Sequence, residues 1–230
     1  MSESYIPGLP GVRTARTASH RIVFKQRSEQ YLAGGKQISG ANSRDPGNTG
    51  DVYNLRPGIL MGKRTSGGLY TPAALGLTTN AEAVGSTAVE AAAGVVTELV
   101  RRVGASGTFK LIGPATAGGV VNIETVTYSA ASGTTITVTA IANAFVASSI
   151  IAPTDGSEFP HTFIPDGWNV QVVDSDLTTN LDVEFPLLPI SGVVQASQLL
   201  PWPGDASLRQ WIIGQLESQG MGKFVFDLNF

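Results

Sequence analysis

The chain has no cysteine, and its 230 residues hold only two histidines. Without thiols there is no disulfide framework, thiolate nucleophile, iron–sulfur ligation or cysteine-ligated zinc. His20 and His161 stand alone, without a second histidine at ligand spacing, so a histidine zinc site is not expected. Charge is scarce too, at 14% of residues against about 25% in an ordinary domain. No apolar run approaches the roughly 18 residues of a membrane span. The opening MSESYIPGLPGVRTARTASHR places no apolar stretch behind its basic residues, so no secretory signal is expected either. A P-loop would need Gly at Pro57 and Ser or Thr at Arg64 around Gly62-Lys63, and there is no G-x-G-x-x-G or G-x-S-x-G motif.

What is present is 42% hydrophobic residues with 27 Gly and 13 Pro. That mixture suits strands joined by many turns and argues against a helical bundle. A chain of this length buries about 70% of its unfolded surface and needs no staple. The expected fold class is α+β, predominantly antiparallel β, with an extended N-terminal arm and a compact β-rich body carrying two short helices.

The net charge of −3 conceals a division. Residues 1–64 hold ten basic and four acidic side chains, a net of +6, and the remainder holds five and fourteen, a net of −9. A basic, Gly-rich, weakly periodic segment ahead of an acidic body reads as an arm over residues 1–52 that contacts an external partner. The alternative is an arm that folds back on its own acidic body. The basic residues lack the interleaved aromatics that stack on single-stranded bases, so no nucleic-acid partner is expected.

Within the arm, Arg21-Ile22-Val23-Phe24-Lys25 is a short β-like run, and residues 31–52 read as a loop ordered only by a partner. Pro57-Gly58 leads a strand, Ile59-Leu60-Met61, and Gly67-Gly68 turns it into Leu69-Tyr70-Thr71-Pro72, a hairpin. Thr87 and Glu90 are spaced as a capping box for a helix over 88–103, with Glu98 pairing Arg102 and Gly104 as the stop. Strands follow at 108–112, 120–128 and 134–140, with 145–151 a strand or short helix, then 168–173 and 181–185. Asp205 opens a second helix whose Leu208, Trp211, Ile212 and Leu216 share a face, ended by Gly220. In the C-terminal KFVFDLNF, Phe224, Phe226, Leu228 and Phe230 fall on one side of a strand.

Candidate chemistry is thin. His161 with Asp155 or Asp166 would make two members of a triad, but a turn histidine is the simpler reading. Asp174, Asp176, Asp182 and Glu184 would suit calcium, yet as an EF-hand loop they fail at Thr179 and Phe185, leaving a solvated loop or an irregular calcium site as alternatives. No catalytic, cofactor or metal residue is assigned, and no enzyme is expected.

The hairpin L55-R-P-G-I-L-M-G-K63 with G67-G-L-Y-T-P72 and A74-L-G76 resembles the head decoration, or cement, proteins of tailed bacteriophages, the class of the lambda head decoration protein. T154-D-G-S-E158, S191-G-V-V-Q-A-S-Q198 and G222-K-F-V-F-D227 look like larger members of that class. The resemblance marks Pro57, Gly58, Met61, Gly62, Lys63, Tyr70 and Pro72 as the family hairpin. It implies a virion protein, assembled in the bacterial host cytoplasm, that sits as a trimer at threefold or quasi-threefold points on the outer capsid surface and stabilises the expanded shell. Its partners would be the major capsid protein and its own copies, with no membrane and no cofactor. The N-terminal arm would clamp neighbouring capsid subunits through Arg13, Arg16, Arg21 and Lys25, with Ile22, Val23 and Phe24 as anchors of an added strand. The decoration-type core would span 53–78 and 191–230, with 79–190 an inserted β-rich subdomain carrying one helix. Deleting residues 1–52 should then leave a folded body. A second reading is an adhesive or carbohydrate-binding appendage of a virion or cell surface, with Trp168 as sugar platform.

Overall fold

The computed structural model describes residues 23–24, 30–165, 170–173, 179–219 and 223–228. In chain order the elements are β1 (Gln30–Ile38), β2 (Asn54–Leu55), β3 (Leu60–Lys63), β4 (Tyr70–Pro72), β5 (Gly76–Leu77), β6 (Ala88–Glu90), α1 (Ala93–Val103), β7 (Gly107–Pro114), β8 (Val121–Ser132), β9 (Thr135–Val138), β10 (Ile150–Ala152), β11 (Thr162–Phe163), β12 (Val170–Gln171), β13 (Val183–Gln195), α2 (Ala206–Gln219) and β14 (Lys223–Asp227). A 3-10 turn at Ala196–Gln198 links β13 to α2. The fold class is as expected: α+β, with two α-helices and mostly antiparallel strands among the described residues.

The strands form two six-stranded sheets, ordered β11-β3-β4-β1-β13-β14 and β5-β10-β7-β8-β9-β6, with β12 and β2 as a separate pair. The second sheet is antiparallel at every junction. Its ends meet: Thr78 bridges Ala91, and the Thr79 N–H donates to the Glu90 carbonyl at 2.8 Å. The sheet thereby closes into a small barrel, which removes its open edges. The interior is filled by alternate residues of its strands, including Phe109, Leu111, Val126, Tyr128 and Ile136, and α1 plugs it with Val95, Val96 and Leu99. The Tyr128 hydroxyl donates to the Gly104 carbonyl at 2.6 Å and ties the barrel wall to the end of the plug.

The barrel's back and the first sheet share a second core, in which Ile112, Ile150 and Ala152 meet Leu60, Phe163, Val194 and the α2 residues Leu208, Ile212 and Leu216. On β14, Phe224 is buried and Val225 exposed, the alternation expected of the tail, although Leu228 is half-exposed. Phe230 lies outside the described residues.

Several expectations need correction. Residues 30–38 are not loop: β1 pairs β13 along its length, from Gln30 opposite Ser191 to Ile38 opposite Val183. Its neighbours Ser39, Ser43, Arg44 and Asp45 are buried as well, so the loop that follows is ordered by the body and not by a partner. The subdomain 79–190 also ends early, because the barrel uses residues 76–152 whereas β11 and β13 join the first sheet. The capping box does not form. Residues 88–90 are barrel strand, since pairing to β9 satisfies their backbone groups, and α1 starts after Ala92 with no side-chain cap. Gly104, at φ 124°, does end α1, and Asp205 does cap α2, accepting from the N–H groups of Ser207 and Leu208.

Candidate functional site

The hairpin over residues 55–72 forms as read: β3 and β4 pair antiparallel, with Met61 opposite Pro72 and Lys63 opposite Tyr70. Its residue types have a packing explanation. Gly58 has φ 90°, and a Cβ there would stand 2.1 Å from the Gln198 carbonyl oxygen. At Gly62 a Cβ would lie 1.8 Å from the Ser157 carbonyl oxygen, so only glycine lets the 157–159 loop cross this strand. Met61 and Tyr70 fill a third core with Ile38, Leu55 and Ile164. Pro57 and Pro72 are buried too, so Lys63 alone among the seven motif residues is exposed.

Beside the hairpin lies a charged junction that joins it to the barrel and α1. Arg102 projects from α1 and donates to the Pro72 carbonyl at 2.9 Å, the Ser157 hydroxyl at 2.7 Å and Asp155 Oδ2 at 3.0 Å, as well as to the Thr71 hydroxyl. Arg64 Nε donates to the same Asp155 oxygen at 3.1 Å, and Ser157 closes on Oδ1 through both its hydroxyl and its N–H. Burial pushes the Asp155 carboxyl up, but Arg102 and the bonds from Ser157 outweigh it and hold the group below its ordinary range. The Arg102 guanidinium is pulled down by burial while Asp155 opposes that shift. Next to this junction Lys110 donates to Glu158 at 2.6 Å and sits 4.8 Å from the centre of the Phe159 ring.

The sequence misses this junction, because the i,i+4 spacing of Glu98 and Arg102 points to a surface pair. Glu98 instead takes Arg101, with both bonds at 2.6 Å, and Arg102 turns inward. The signal available was the apolar periodicity of α1, which places residue 102 on the same side as Val95 and Leu99.

The proposed arm contacts divide in two. Arg13, Arg16, Arg21, Ile22 and Lys25 lie outside the described residues. Val23 and Phe24 are interior: both are buried, Phe24 bridges Val194, and its ring centre lies 5.5 Å from Phe163 and 6.5 Å from Phe224. They are core residues of the protein itself and not anchors for a capsid strand, since a buried phenylalanine between two others has no face left to offer. The basic charge of residues 30–64 is likewise largely spent at home. Arg44 is buried over the Tyr53 ring, Arg56 pairs with Asp45, and Arg64 pairs with Asp155. Of these cations only Lys36 and Lys63 are exposed. For this stretch, the alternative of folding back on the body is the observed one.

His161 is half-buried at the end of β11, its ring edge-on to Tyr70 at 6.2 Å. Burial, helped by the Lys63 charge, pulls its pKa below the ordinary imidazole value. Asp155 is committed to Arg102, Arg64 and Ser157, so it is not the partner that a triad through His161 would need. Asp166, Trp168, Asp174 and Asp176 lie outside the described residues. Asp182 accepts from the Gly40 N–H at 2.9 Å, a loop-closing role. Among the described residues no three histidine or carboxylate side chains gather as a metal site, and no helix is long and apolar enough to cross a membrane.

Comparison of the chain with family models, with curated proteins and with solved structures returned no match.

Proposed function

We propose that this chain is a structural virion protein that binds the outer surface of a tailed-phage capsid as a symmetric oligomer, a trimer by family resemblance, and stabilises the expanded shell. The observation that carries the reading is the hairpin from Leu55 to Pro72, whose residues resemble the decoration class and in which Gly58 and Gly62 are required by the close approach of neighbouring backbone. Its partner is the major capsid protein, and no catalytic step, nucleic acid or membrane enters the proposal. The body joins two six-stranded sheets, one of them closed into a barrel, through a shared core, with Arg64 and Arg102 paired to Asp155 beside it.

Because Val23 and Phe24 are core, the capsid-binding arm in this proposal is residues 1–22, with Arg13, Arg16 and Arg21 supplying its charge. The test is co-sedimentation with expanded phage shells that lack decoration protein, comparing the full chain with a truncation that starts at Val23. Saturable binding by the full chain, weakened by added salt and lost in the truncation, is the expected outcome, since exposed charges are screened within about 8 Å at physiological salt. Failure of the full chain to bind sinks the reading, and equal binding by the truncation removes the arm from it.

A further inference from the structure

A cleft of about 240 Å³ opens where the two sheets meet the start of α1. Ile59, Leu75, Val95 and Leu200 line its apolar floor, and Arg44, Asp45 and Arg56 stand at one wall. That wall is not neutral. Asp45 makes a two-point pair with Arg56, Oδ2 to Nε at 2.5 Å and Oδ1 to the terminal nitrogen at 2.9 Å, and these charges cancel. Arg44 remains: its guanidinium donates to the carbonyls of Gly40 and Ser43 and to Asn180 Oδ1, and it lies 4.4 Å over the Tyr53 ring. All of these partners are neutral acceptors or a π face, so the wall carries a net positive charge. Burial, reinforced by Arg101 and opposed by Glu98, makes the cation costly there, and an incoming carboxylate relieves that cost.

Size narrows the occupant. The cleft is smaller than the roughly 300–1,000 Å³ of pockets that take whole small molecules, and suits one aliphatic or aromatic side chain. We propose that it docks an extended segment of a partner protein that inserts one leucine-sized or phenylalanine-sized side chain and sets an adjacent Asp or Glu against the Arg44 wall. This stands apart from the capsid reading, since it rests only on the cleft and its charge.

The experiment is an NMR titration of the full chain with the capped tetrapeptide acetyl-Ala-Asp-Leu-Ala-amide, its Asn-for-Asp counterpart, and N-acetylleucine. Expected are saturable shifts at Ile59, Leu75 and Val95, about fivefold weaker binding of the Asn peptide, and loss of binding in Ala92→Phe. Ala92 is an exposed lining residue at the helix start, so that variant fills the cleft without entering a core. Arg44→Met should match the Asn peptide's loss; because Arg44 also braces its loop, the Ala92 variant decides if the Arg44 variant misfolds. Three results overturn the proposal: no saturable shift at the cleft with either peptide, equal binding of the two peptides, or binding unaffected by Ala92→Phe. Saturation by N-acetylleucine without the peptides also overturns it, in favour of a small carboxylate ligand.

Discussion

The barrel and the first sheet are built from the same kinds of residue but assembled in opposite ways. The barrel takes its strands from one contiguous stretch, 76–152, and β7, β8 and β9 follow one another as a meander. Its interior is filled almost wholly by that stretch and by its own helix. The first sheet instead joins the chain's far ends: Gln30 pairs with Ser191, and Phe24 packs on Phe224. Closing such long loops costs entropy that only the final contacts offset. Its core is incomplete without the barrel's back, since Ile112 and Ile150 form part of it. The barrel is therefore a local unit, and the first sheet is a consequence of the whole chain.

The largest test of that contrast is Phe24→Ala. Removing a ring packed against two others should cost about 3–5 kcal/mol in urea unfolding, and native-state hydrogen exchange should lose protection in β1, β13 and β14 before β7 and β8. Uniform loss across both sheets would break the distinction, and a cost under about 1 kcal/mol would show that Phe24 is not core.

Arg102→Ala probes the seam between the units, because this side chain reaches from α1 to both β4 and the 155–157 loop. Breaking one half of a buried pair typically costs about 3–5 kcal/mol, read here by calorimetry as a lower Tm. The same junction sets an acid response. Asp155 titrates below its unfolded value, so it contributes stability above the unfolded pKa, and that contribution is lost as pH falls through the folded pKa. Asp155→Asn should flatten the acid limb of stability against pH, and an unchanged limb would place the proton uptake elsewhere.

A smaller effect is expected at Asp205, whose carboxylate caps α2 and also accepts from the Gly118 N–H at the tip of the β7–β8 hairpin, at 2.8 Å. Asp205→Ala should cost about 1 kcal/mol, a fall in Tm of about 2–4 °C for a chain of this size. Asp205→Asn, which keeps an acceptor, should recover most of it. If the alanine variant shifts exchange only in α2, the hairpin tether adds nothing to the seam.

The barrel was the more legible unit. Alternation marks β7, β8 and β9, and Gly133 at φ 60° makes the turn between the last two. The hairpin of the first sheet was legible from its Pro-Gly and Gly-Gly turns, and α2 from Asp205 and the Leu208, Ile212 and Leu216 face. Where local signals compete, the reading failed. Thr87 and Glu90 fit a helix start, but strand pairing with β9 gives these backbone groups partners that a lone capping box does not match. The glycines at 34–35 look like a loop, yet the pairing of β1 with β13 shifts register there and continues beyond it. For the charged junction the helical phase of Arg102 was the one local signal, and its partner Asp155, 53 residues away, had none.

Composition and periodicity by themselves determined that this chain would be a β-rich α+β protein with two helices and, lacking cysteine, without thiol chemistry. Those properties follow from residue type and short-range spacing. Only the tertiary structure decided that Gly58 and Gly62 serve close backbone approach, that Val23 and Phe24 belong to the protein's own core, and that Arg56 and Arg64 pair with Asp45 and Asp155 while Arg44 is buried over Tyr53. Which charges and strands meet depends on contacts between residues far apart in the chain, and local patterns are silent about those.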